Sequence, residues 1–415
     1  MLVPLESSAM PSTRTARHLD VLALPRVPLT FSAALVGRAA YALVLLPLLY
    51  AVTEATGSIA LAATAVAVYG ATASLLAPGR AWLIDRHGAR PVLAVLIVSF
   101  GAGVAGIAAA SLLGAPGTLL IVLAGLAGAC APPLGPTMRV AWGRLTPDDE
   151  MLRTGLSFDA VIEELLYLAG PALAGLALAI VAPGAALFVP AVLVVVGGLA
   201  FVATPTVGEM SVRGVAPHRR GRGGSLLRDR RFVGLLLPAV VAGGVSGTIG
   251  IAVPVVLADR GGPAAVGIAL GVFAGGSALG GLLFGAMRVP GSPARQLVVL
   301  AAALMGVTSL VAVVGGAVGV SVVLAVAGLF FSPIMIVAYV AAHAAGGEHR
   351  QNSATTWVNT GHNLGGSVGS AGAGVLIQAA GAPTTLVVVA GVVGVLLAVS
   401  LVLASARPAA EDASA

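Results

Sequence analysis

Apolar runs of roughly 20–25 residues follow one another along nearly the whole chain, each about the length at which an α-helix crosses the hydrocarbon core of a bilayer. Glycine, proline and charge punctuate them. They fall at 29–52, 58–78, 91–113, 117–138, 156–181, 185–204, 232–257, 264–286, 296–314, 319–342, 354–378 and 383–404. Only 9% of the side chains are charged and 58% are hydrophobic, against about 25% charged in an ordinary soluble domain. So little charge cannot cover a water-facing surface of normal size. Soluble enzymes, disulfide-rich secreted scaffolds and disordered chains are thereby excluded. The expected fold is an all-α membrane protein with twelve transmembrane helices. The first run has 24 residues, longer than the roughly 7–15 residues of a signal-peptide core, and is expected to be an uncleaved span.

Arginine placement orients these helices. All 22 basic residues are arginine, a usage that points to a high-GC bacterial coding bias. With loops assigned alternately to two sides, twenty arginines fall on one side, Arg260 stands alone on the other, and Arg38 lies inside a span. Basic loops stay on the cytoplasmic side of a membrane. Both termini are therefore expected in the cytoplasm, with the chain a multi-pass protein of a bacterial plasma membrane. The same distribution attributes the net charge of +6 to membrane topology, so no nucleic-acid partner is expected. Without lysine there is no P-loop lysine and no Schiff base. The lone Cys130 permits neither an internal disulfide nor a multi-cysteine metal site, and it reads as a small buried hydrophobe.

The polar stretch 205–231 carries seven arginines against Glu209 and Asp229, as a cytoplasmic linker near anionic headgroups would. It divides the chain into a tail at 1–28, six helices at 29–204, the linker, six helices at 232–404 and a tail at 405–415. Parts of the halves repeat. Gly128 and Pro133 recur as Gly328 and Pro333, and Ser157-Phe158, Gly170 and Gly175 recur as Thr356-Trp357, Gly369 and Gly374, at offsets of 200 and 199. Two six-helix pseudo-repeat halves are expected, the way one large group of secondary transporters is built.

The turn after the second run reads Asp85-Arg86-His87-Gly88-Ala89-Arg90. A tight two-helix turn needs a residue tolerant of positive φ, which Gly88 supplies. Arginines hold the loop inside, and Asp85 can accept from a helix N-terminus or pair with an arginine. This segment resembles the loop signature of the major facilitator superfamily, with Ala81 where a glycine is usual and Ala89 in place of a basic residue. That resemblance implies alternating access, the two halves rocking about a central cavity. It also implies a cytoplasmic latch made by Asp85, with Arg139 and the N-terminus of the eleventh helix as its partners. The plainer alternative is that Asp85 caps a helix. A second segment, Gly170-Pro171-Ala172-Leu173-Ala174-Gly175, resembles the Gly-Pro motif of drug:proton antiporters in that superfamily and implies export. Close helix packing by small residues is the competing explanation.

Ionisable residues inside spans are costly and mark functional sites. Arg38 lies in the first run, and Asp159, Glu163 and Glu164 lie in the fifth. Three carboxylates against one arginine leave excess negative charge, which favours a protonated carboxyl. The expected carrier is Glu163 with Glu164 as the partner of Arg38, the swap or a static salt bridge being the alternatives. Tyr41, Tyr69, Tyr167, Tyr339, Trp357, His362 and Asn363 are the candidates for lining a cavity. Gly365-Gly366-Ser367-Val368-Gly369 matches a hydrolase elbow in letters only, because the strand–turn–helix context is absent. The expected function is proton-coupled efflux of a small, partly apolar molecule. No cofactor, no metal and no obligatory protein partner is expected; the substrate and the bilayer are the partners. Alternatives are an importer of a nutrient or precursor, and a membrane scaffold or sensor that moves nothing.

Overall fold

The computed structural model describes residues 21–210, 226–287 and 289–405, and within these the side chains of Asp85 and Glu164, among others, lie outside the described residues. The described residues are helical, with no strand. A helix satisfies its backbone groups internally, which hydrocarbon demands. The elements are α1 (Val27–Thr56), α2 (Ile59–Leu75), α3 (Ala77–His87), α4 (Ala89–Leu112), α5 (Gly117–Ala129), α6 (Leu134–Leu145), α7 (Asp149–Leu178), α8 (Phe188–Ala203), α9 (Arg230–Val256), α10 (Gly262–Ala286), α11 (Pro293–Ser309) and α12 (Gly316–Ala404), apart from single turns.

Local chemistry sets the boundaries. Ser58 caps α2, its hydroxyl accepting from the Leu61 N–H at 3.3 Å. Pro78 lies in the first turn of α3, where α2 and α3 meet at a 42° bend. Gly88 takes φ 90° between α3 and α4, the conformation expected of it, and its N–H returns to Ile84 O at 2.8 Å. Pro132 and Pro133 separate α5 from α6, since neither has an N–H to continue the ladder.

Among the described residues, ten helices are long and apolar enough to cross a membrane, or eleven if the bent α2–α3 pair counts as one span, rather than the twelve expected. The difference lies in α12, whose last apolar stretch, Thr356–Ala404, runs for 49 residues. It is not straight. Ser370 Oγ donates to Gly247 O at 3.3 Å, and Ser400 Oγ donates to Gly234 O at 2.7 Å. Thirty residues of straight helix would hold those two serines about 45 Å apart, whereas Gly234 and Gly247 are only about 20 Å apart along α9. The chain therefore reverses between them, and Gly381 at φ 78° lies in that interval. A second reversal lies earlier in α12, because Tyr339 Oη donates to Asn359 Oδ1 at 2.7 Å, although straight helix would separate the two residues by about 30 Å.

Glycine allows the closest helix crossings. A Cβ on Gly128 would lie 2.3 Å from Tyr69 O, and one on Gly328 would lie 2.1 Å from Phe273 O. The repeated glycines thus do the same work in both parts of the chain. The Gly-Pro segment packs as small residues can: Gly170 abuts Ala42 of α1, and Gly175 abuts Pro263 and Gly267 of α10.

Candidate functional site

Two arginines and two carboxylates meet between α1, α6 and α7. Arg38 Nη1 lies 2.5 Å from Asp159 Oδ1, and Arg38 Nη2 lies 3.0 Å from Glu163 Oε1. The second oxygen of Glu163 lies 2.5 Å from Arg139 Nη2. Asp159 and Glu163, four residues apart, share one face of α7, and that face meets α1. Among the described residues, the partners of Arg38 are Asp159 and Glu163, so Glu163 takes the pairing that the swapped alternative gave it. The Glu164 side chain, the other expected partner, lies outside the described residues. The expected excess of negative charge is also reduced, because Arg139 balances the second carboxylate. Arg139 itself lies against Glu163; the Asp85 side chain of its expected latch is outside the described residues.

Exposure separates the two acids. The Asp159 side chain is 1% exposed and that of Glu163 20%. Glu163 and Arg38 line a chamber of about 120 Å³ with Tyr41, Tyr167 and the prolines of the α5–α6 break. Tyr41 Oη donates to Pro132 O at 2.6 Å, tying α1 to that break.

Beyond Tyr41 and Tyr167 lies a cavity of about 420 Å³. Residues from α1, α2, α7, α9, α10 and α12 line it. Five of the seven expected lining residues meet here: Tyr41, Tyr69, Tyr167, His362 and Asn363. Tyr339 and Trp357 do not. Tyr339 bonds Asn359, and Trp357 lines a separate apolar groove. Sequence reasoning missed Ser74, Ser246, Ser367, Ser370 and Phe273 of the lining; hydroxyls inside apolar runs were the signal for the serines. Ser367 Oγ donates to Asn363 O at 3.1 Å, an ordinary bond back along its helix. No aspartate, glutamate or arginine is among the described residues lining this cavity.

The loop motif ties helices together. Arg90 donates to Val202 O, Ala203 O and Thr204 O at 3.1–3.2 Å, so a cation meets the C-terminal carbonyls of α8. Arg86 lies 5.6 Å from the Trp82 ring centroid. Arg80, one of the twenty arginines assigned to the cytoplasmic side, is 7% exposed. It donates to Ala129 O at 3.0 Å, to Gly128 O at 3.4 Å and to Ala73 O, binding the ends of α5 and α2.

A bundle of membrane-length helices around a cavity lined from both parts of one chain is the build of a secondary transporter. Residues 29–255 match the profile of the Major Facilitator Superfamily, and the chain belongs to that family. It is a multi-pass membrane transporter and not an enzyme. No curated protein matches it. Solved structures similar to it include a POT family transporter in complex with 5-aminolevulinic acid, at 14% identity and TM-score 0.68, covering 92% of this chain and 96% of that one. The nucleoside transporter NupG is similar at 12% identity and TM-score 0.68, covering 91% and 100%. A peptide transporter POT variant in complex with alafosfalin is similar at 15% identity and TM-score 0.61, covering 92% and 94%. At these identities the likeness is one of fold.

Proposed function

We propose that the chain exports a small, uncharged, partly apolar molecule in exchange for protons, by alternating access in a bacterial plasma membrane with both termini cytoplasmic. The halves 29–204 and 232–404 are the bodies that rock, and Asp85 serves the cytoplasmic latch. The observation that carries this reading is a cavity whose described lining residues include no aspartate, glutamate or arginine, next to a chamber holding Arg38 and Glu163, with Tyr41 and Tyr167 lining both. Substrate and proton then occupy separate but adjoining sites.

Glu163 is the better proton carrier of the two described acids, because it is the one partly open to its chamber. A proton on Glu163 removes the charge that holds Arg139, so α6 is freed from α7 while Asp159 still neutralises Arg38. In liposomes, Glu163→Gln should bind substrate and catalyse exchange at near wild-type rate. It should lose at least tenfold in uphill export under an imposed pH gradient. Concentrative export with unchanged pH dependence in that variant would make the cluster a static brace. Uphill uptake by the wild type in the same assay would favour the importer.

A further inference from the structure

The groove that holds Trp357 lies apart from the substrate cavity and has its own chemistry. Its volume is about 450 Å³. Leu236, Val240 and Gly244 of α9 form one wall, and segments of α12 around 357–376 and 388–396 form the other. Thr248 is the only residue among those lining it with a polar side chain apart from the Trp357 indole. One end is marked by Leu227, with Arg228 next in the chain and Arg230 opening α9. Both arginines are exposed, and among the described residues neither makes an ion pair. The acid between them, Asp229, is turned to its own helix: its Oδ1 accepts from the Arg231 N–H at 2.9 Å.

Size selects the occupant. From Leu236 to Thr248 the groove follows α9 for about 18 Å, close to the roughly 15 Å depth of one leaflet's hydrocarbon. Even all the open space of the groove, about 1160 Å³, leaves a mean cross-section of only about 64 Å² over that length. A helix some 10 Å across needs about 80 Å², so neither a partner helix nor a second copy of this chain fits. A single hydrocarbon chain does. We propose that this groove binds one acyl chain of an anionic phospholipid, whose phosphate is held at the groove mouth by Arg228 and Arg230. The bound lipid joins α9 to both passes of the last 49 residues and so braces the fold-back at Gly381.

The test uses the purified full chain in detergent. Native mass spectrometry and thermal unfolding are followed on adding phosphatidylglycerol, phosphatidylcholine of the same acyl chains, or inorganic phosphate. Phosphatidylglycerol should bind tightest and raise the unfolding temperature most, and inorganic phosphate should do neither. Arg228→Gln/Arg230→Gln should weaken phosphatidylglycerol about 25-fold, on the order of fivefold per arginine, and leave phosphatidylcholine unchanged. Gly372→Leu should weaken both lipids; Gly372 lines the groove and a Cβ there meets nothing within 4 Å, so the side chain fills the space without disturbing the fold. Equal affinity for the two lipids in the wild type would overturn the proposal. So would an undiminished phosphatidylglycerol preference in the arginine variant, undiminished lipid binding in Gly372→Leu, or a stabilisation reproduced by phosphate alone.

Discussion

Gly128 and Gly328 stand 200 residues apart and pack alike, each against the backbone of a neighbouring helix, yet the chain beyond them behaves differently. After Gly128 the helix stops at Cys130 and resumes beyond Pro133; after Gly328 it continues through Pro333. One proline removes one N–H, and a helix surrounded by partners tolerates that. Adjacent prolines remove two, and Pro133 also biases Pro132 away from helical backbone. The carbonyls freed by the break are taken up by Arg80, and Tyr41 takes that of Pro132. Among the described residues, the buried charged ones are Arg38, Arg80 and Asp159, all in the first half. That half adds directional charge to glycine contacts such as Gly37 on Gly197, while the described residues of the second are joined through glycine seams and serine hydroxyls. Directional contacts have discrete alternatives and can be switched by a proton, whereas close backbone packing has none to switch to.

The comparison can be broken most severely at Arg38. Arg38→Met leaves Asp159 buried without its counter-ion and should destabilise the protein by about 3–5 kcal/mol in detergent unfolding. Arg38→Met combined with Asp159→Leu should recover most of that loss. A single variant as stable as wild type would mean the first half does not depend on its charges. Arg80→Met should cost less, about 2–3 kcal/mol, by leaving the carbonyls of Ala73 and Ala129 unpaired; an unchanged melting curve would show that water replaces the guanidinium without loss. The smallest effect tests the likeness rather than the difference. Gly128→Ala and Gly328→Ala each force a Cβ onto a carbonyl and should cost about 1–2 kcal/mol, nearly equally. A large inequality between the two would mean the repeat is one of letters only.

Much of the fold was legible residue by residue. The run expected at 91–113 is α4 at Ala89–Leu112, and that at 264–286 is α10 at Gly262–Ala286. Gly381 falls in the gap expected between 378 and 383, although helix continues across it. The site was legible only in part. Five of seven lining residues converge because polar and aromatic groups inside apolar runs seldom face lipid. Tyr339 and Trp357 obey the same rule and point elsewhere, because that rule does not say which interior a residue faces.

Composition and the length of its apolar runs determined that this chain lives in a bilayer, since run length against hydrocarbon thickness and the cost of burying charge are decided locally. Helical spacing also determined that Asp159 and Glu163 share a face. Which arginine meets that face was decided by the tertiary structure. Gly170 lets α7 approach Ala42 of α1, and the break at Pro132-Pro133 precedes α6, which carries Arg139 to the same carboxylate. An ion pair needs about 4 Å between partners, and no spacing along one helix specifies a distance set by the crossing of two.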